Sequence, residues 1–308
     1  MAITSAAQVA TAIAAGRQYK TSWNKAFSAT TGVAATWYDT WTYGGMPSAG
    51  GWAGSLGTPV VPVGAPGASY TTGRISCGEN VAGSGWNKHL FNAEFMTAAA
   101  ATAMPMYLML VDIVAYYPGI VMTTTTAQTI NTPNTSVLTR YTSGAGLMCY
   151  LTYSTTVTTP ATSTFTMNYT NSAGTGGRAS PSQNISNTAG TGAIGALPLS
   201  GTLAVAGTYG PFINLQSGDS GVKIPYQVTI GTTQASGVGV IVQCYPLACI
   251  PIVAGPGTTV VATARDFLFS MPTMPKIVDG ACLNFLLYTS GAVVASTNLW
   301  GMLDFVWG

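Results

Sequence analysis

Charge is what this chain most lacks. Its 308 residues include ten basic and eight acidic ones, 6% of the total, against about 25% in an ordinary soluble domain. The net charge of +2 is too small for electrostatic wrapping of nucleic acid, and no segment interleaves basic residues with aromatics. No two acidic residues lie within four positions of each other. Neither a paired-carboxyl glycosidase centre nor a metal-binding loop is therefore spelled out locally. The five cysteines, Cys77, Cys149, Cys244, Cys249 and Cys282, are odd in number and widely spaced. They offer no disulfide framework and no CxxC pair for zinc, which suits synthesis in a reducing cytoplasm. The apolar part of the first segment follows no basic residue, as a secretory signal would need. The longest apolar run, residues 104–122, is broken by Pro105, Asp112 and Pro118, which argues against a membrane span. No catalytic group, cofactor, metal, specific nucleic acid or membrane partner is expected.

What remains is apolar and small. Hydrophobic residues make up 47% and aromatics 10%, with 37 Gly and 17 Pro, so the composition is that of a folded chain. A folded chain with so few charges presents hydroxyls, amides and methyls, with little self-repulsion to keep copies apart. The simplest expectation is that neighbours in a large assembly cover much of it.

Along the chain, residues 1–68 stand apart from 69–308. Ser5 or Thr4 can cap a helix whose Val9, Ala10, Ile13 and Ala14 share one face, ending near Gly16, with room to resume through Trp23 and Phe27. Arg17, Lys20 and Lys25 lie there with no acidic residue among them, as a solvated helix end or a docking point for an acidic partner surface. Residues 28–68 then set Trp37, Trp41, Tyr43 and Trp52 among Gly and Pro. Rings on such a backbone either fill pockets in a neighbouring subunit or fold back on their own domain. On the first reading, Arg17, Lys20, Trp23, Lys25, Trp37, Trp41, Tyr43 and Trp52 form an interface.

Residues 69–308 read as mainly β: an antiparallel β-sandwich, jelly-roll-like, in one or two subdomains, with one helix near residues 86–104 ended by Pro105. Residues 106–117 read as a long strand buried on much of both faces, with Asp112 paired or turned outward. Thr/Tyr-rich strands follow at about ten-residue spacing, and residues 171–195 form a long polar loop. Residues 223–230 alternate in and out, and 238–252 suit a buried strand, a bend at Pro246 and an edge strand. The last strand runs to Gly308.

Gly218-Asp219-Ser220-Gly221 is the most tempting catalytic string. It resembles the nucleophile loop of trypsin-like serine proteases, and His89, Asp112 and Ser220 stand in that family's chain order. The likeness stops at four residues, since Val222 replaces the family's next Gly and His89 sits in a WNKHLF context. Asp-Ser-Gly between strands is ordinary turn chemistry, and the turn is the expected reading.

A broader likeness lies in YTNSAGTGGR (Tyr169 to Arg178), PFINLQSGDSGV (Pro211 to Val222), VQCYPLACIPI (Val242 to Ile252) and LMLVDIVAYYPGI (Leu108 to Ile120). These strings resemble virion structural proteins of tailed bacteriophages, over about half the chain. The resemblance implies a non-enzymatic all-β virion component of capsid decoration or cement type. It would be made in the host bacterial cytoplasm and would contact other copies of itself and other virion proteins, the major capsid protein among them. The alternative is a receptor- or glycan-binding β-sandwich of a phage tail or head fibre, which would need aromatics together with clustered Asp, Asn and Arg.

Overall fold

The computed structural model describes residues 3, 5–28, 30–64, 72–99, 103–157, 163–185, 192–200, 210–253, 261–269 and 274–308. The protein is mainly β, with antiparallel sheets and one short N-terminal helix. That helix, α1 (Ala6–Ala14), starts where Ser5 accepts a bond from the Gln8 amide at 3.3 Å and buries Val9 and Ala12. It stops at Gly16, whose φ of +70° is a conformation that favours glycine.

The expected continuation of the helix is overturned. Residues Gln18–Ala26 form strand β1, whose odd positions Trp23 and Lys25 are buried while Lys20, Ser22 and Asn24 are exposed. The helix expected near 86–104 is overturned as well. Lys88–Thr97 is strand β4, despite the good helix formers Leu90, Ala93, Glu94 and Met96. Pairing with strands on both sides outweighs a propensity difference of a few tenths of a kcal/mol per residue.

Three sheets result. Sheet A has the order β13 (Val261–Asp266), β4, β16 (Asn298–Trp307), β1 and β3 (Gly45–Met46), with β14 (Lys276–Ile277) also on β4. Sheet B runs β2 (Thr36–Asp39), β15 (Leu283–Thr289), β5 (Met106–Val121), β12 (Val238–Ile252) and β7 (Met148–Thr155). Sheet C runs β10 (Gln183–Ile185), β8 (Ser163–Asn171), β11 (Val222–Ile230) and β6 (Gln128–Thr129), with β9 (Arg178–Ala179) on β8. Strand β16 lies inside sheet A, paired on both sides.

The long strands β5 and β12 of sheet B join the other two sheets. Met106, Leu108 and Leu110 of β5 pack with Trp23, Phe95 and Leu303 of sheet A. Ala115 and Tyr117 pack with Phe165, Met167 and Val228 of sheet C. A register shift between Gln243 and Cys244 of β12, opposite residues 113–115 of β5, moves the buried set from even to odd positions, as a bulge does. The alternate residues Val111, Ile113 and Tyr116 face a third layer lined by Trp37, Trp41 and Trp52. As expected, β12 begins buried between β5 and β7. Its pairing with β7 ends at Cys244, and a further shift between Pro246 and Ala248 leads into an edge half paired only with β5.

Candidate functional site

The loop before β11 is built around one carboxyl group. Gly218 turns the chain at φ +88°, and Asp219 then points back at sheet C. It accepts from Tyr169 Oη at 2.6 Å, Asn171 Nδ2 at 2.7 Å and Arg178 Nε at 2.9 Å. The Arg178 hydrogen bond, foremost among these contacts, holds the carboxyl down at about 2. Ser220 lies 3.1 Å from the Ser172 hydroxyl. His89 belongs to β4, with Nδ1 3.4 Å from the Met274 carbonyl. Asp112 is engaged by Arg140. The three residues of the protease-like order thus sit in three separate networks, and Asp219 staples a turn.

The residues expected at an interface lie elsewhere. Trp37, Trp41, Tyr43 and Trp52 are all buried in the chain's own core. Trp41 stacks on Trp52 at 5.3 Å between centroids, and Trp52 meets Tyr116 edge-on at 5.0 Å. Residues 30–64 therefore supply β2 to sheet B and β3 to sheet A and cover sheet B with their tryptophans, a correction to the reading of 28–68 as an extended arm. Trp23 is packed between Phe95 and Phe285. Lys25 is wholly buried, which corrects its reading as part of a basic docking surface. Its ammonium donates to the carbonyls of Pro47 at 2.9 Å, Tyr43 at 3.1 Å and Ser48 at 3.4 Å. Arg17 lies over the Trp86 ring at 5.2 Å. Of the eight, Lys20 alone is exposed, 3.3 Å from Asp304.

Four buried ionisable groups, Asp112, Asp39, Lys25 and Lys88, clip loops to sheets. Asp112, expected to be paired or turned outward, is paired. Arg140 grips it at 2.9 and 3.1 Å, and the Cys282 amide donates at 2.7 Å. Burial pushes the Asp112 carboxyl up, against Arg140. Asp39 accepts from Asn284 at 2.6 Å, the Trp41 amide at 2.7 Å and Tyr150 at 2.9 Å. Burial raises it to about 6, with those donors and Lys25 opposing. Burial also lowers Lys25 to about 8, with Asp39 working the other way. Lys88 donates to the carbonyls of Cys77 and Glu79, and burial lowers its ammonium too. A signal for Lys25 was present, since it falls with Trp23 on the apolar phase of an alternating strand; Lys88 lies beyond the register shift opposite residues 90–92 and carried none.

Burial leaves the surface still poorer in charge than the composition. Of the eighteen charged residues six are buried, eight are half-buried, and Lys20, Glu79, Glu94 and Lys276 are exposed. Exposed apolar side chains include Phe269, Val253, Val294 and Met46. A groove of about 460 Å³ runs between the edge half of β12 and β13, lined by Ile250, Pro251, Thr263 and Phe269 among others. A second cleft of about 260 Å³ lies between Asn134, Thr170, Gly176 and Lys223. Among the described residues no cluster of His, Cys, Asp and Glu could hold a metal ion, all five cysteines are free, and no helix is long and apolar enough to cross a membrane. No protein-family model, curated protein or solved structure matches the chain.

Proposed function

We propose that this chain is a non-enzymatic structural component of a bacteriophage particle, a decoration, cement or minor capsid protein that assembles through charge-poor β surfaces. The observation that carries the reading is the scarcity of surface charge, four exposed and eight half-buried charged residues over 11839 Å² of surface. Such a surface has little electrostatic penalty for lying against a copy of itself or another virion protein, and little repulsion to stay apart. The two cores that share sheet B support a finer description as two sandwich units of jelly-roll type fused through β5 and β12. With the tryptophans turned inward, the contacts fall to the outer surfaces and the exposed edge near Phe269. The partners in this reading are other copies of the chain and the major capsid protein, in a virion assembled in the host bacterial cytoplasm.

The test is occupancy on particles. Gradient-purified particles of the virus carrying this sequence should contain the chain at a fixed ratio to the major capsid protein. Charge introduced on the outer surface, as Thr175→Glu with Phe269→Glu, should remove it from particles while the protein stays folded. A chain absent from wild-type particles would refute the reading.

A further inference from the structure

The outer face of sheet A collects a set of side chains that no part of the sequence places side by side. Register sets Lys20, Asp304, Asn92 and Asp266 in one cross-strand row. The next row is Ser22, Met302, Glu94 and Ala264, and the third is Asn24, Trp300, Met96 and Ala262. All are exposed or half-exposed except Asp304, which is 4% exposed. Four strands by three rows span roughly 15 Å by 14 Å, a flat area wide enough for a short oligosaccharide.

The chemistry of these rows is unfinished. Asp304 Oδ2 meets Lys20 at 3.3 Å and Asn92 at 3.5 Å, but its buried Oδ1 has no hydrogen-bond partner. A buried acceptor without a donor is costly and asks for one. Among the described residues Glu94 has a single weak contact, from Asn92 at 3.4 Å, and no ion pair. Asn24 uses its oxygen on the Met46 amide at 2.7 Å and leaves its NH2 group over. Trp300 makes no ring contact or hydrogen bond among the described residues. Register sets Trp300 between Asn24 and Met96 on the neighbouring strands.

We propose that this face binds a neutral glycan, a role that goes beyond the assembly reading. An indole on a flat sheet offers its π-face to the C–H side of a pyranose ring and its N–H to a hydroxyl. Glu94 and the two asparagines supply the acceptors and donors that sugar hydroxyls need on their rim. Three acidic side chains against one basic exclude phosphates, sulfated or sialylated glycans and nucleic acid. The same balance leaves a lysine-rich peptide as the competing occupant.

The experiment is calorimetric titration of the full chain with maltohexaose, mannohexaose and chitohexaose, beside a pentalysine peptide. At least one saccharide binds, salt does not weaken it, and Trp300→Ala weakens it about tenfold, as loss of one stacking ring predicts. Trp300→Tyr keeps a stacking ring and most of the affinity, and the exposed Glu94→Gln loses a part without touching the core. Thermal unfolding of each variant separates lost binding from lost fold. Binding of no saccharide, binding unchanged by both Trp300→Ala and Glu94→Gln, or binding of pentalysine alone would overturn the proposal.

Discussion

Sheets A and C flank the same central sheet, yet they are fastened in opposite ways. The strands of sheet A carry eight charged residues and those of sheet C two, Arg178 and Lys223. Around sheet A the loops are held by buried ammonium groups, Lys25 on residues 43–48 and Lys88 on residues 77–79. Around sheet C they are held mostly by neutral clips. Gln128 exchanges two hydrogen bonds with Val121 at 2.8 and 2.9 Å, Ser163 does so with Thr232, and Gln183 accepts from the Asn214 amide at 2.8 Å. An ammonium satisfies three carbonyls at once but must be desolvated, whereas an amide satisfies one or two at little cost. A chain so short of charge keeps much of it inside, where each ion organises a loop.

The sharpest break is expected in the shared sheet. Asp112→Ala leaves the Arg140 guanidinium without its carboxyl, which costs about 3–5 kcal/mol; urea unfolding reads the loss directly. In sheet A, Lys25→Ala strands three carbonyls and should cost about 3 kcal/mol, at roughly 1 kcal/mol or more for each unsatisfied group. Hydrogen exchange should quicken first at residues 43–48. In sheet C the matching change, Gln183→Ala, should cost only about 1 kcal/mol. Equal losses at Lys25 and Gln183 would erase the contrast between ionic and neutral fastening.

Acidity should separate the regions next. Asp219 has a folded value of about 2, below its ordinary 3.8, so its contribution is present above pH 3.8 and is lost as pH falls toward 2. Asp39 runs the other way. Its folded value of about 6 lies above 3.8, so the folded state binds the extra proton and stability declines as pH rises from about 4 to 6. Lys25, lowered from 10.5 to about 8, should add stability as pH rises across that interval, because the unfolded chain holds its proton longer. Unfolding curves for Asp219→Asn should lose the acid limb alone, and those for Asp39→Asn the decline between pH 4 and 6. The smallest effect belongs to Ser220→Ala, which removes one exposed hydroxyl contact and should leave both stability and fluorophosphonate labelling unchanged.

Sheets B and C were largely legible in the sequence, because their β-branched and Tyr-rich runs have turn residues between them. Strands β5, β7, β8, β11 and β12 fall where that pattern puts them. Sheet A was legible only in β16, the expected last strand. Its strand β4 is rich in Ala, Met and Glu, and the register shift between Asp304 and Phe305 opposite residues 90–92 breaks the period of two that would have revealed it. In β1 the alternation of Trp23 and Lys25 with Ser22 and Asn24 was present, but an Ala-rich helix just before it suggested continuation. The tryptophans misled for another reason. Gly and Pro around Trp41 and Trp52 denote irregular backbone, and irregular backbone can cover a sheet as readily as it can reach a neighbour. The partners of Asp112 and Asp304 lie 28 and 284 positions away, at Arg140 and Lys20, beyond the reach of any local spacing argument.

Sedimentation velocity of the purified chain, over a hundredfold range of concentration and at low and high salt, tests the central claim most directly. A charge-poor surface made for assembly predicts association that grows with concentration and persists or strengthens at high salt, since few ion pairs are there to be screened. A chain that stays monomeric across the whole range, or whose association disappears on adding salt, would contradict it.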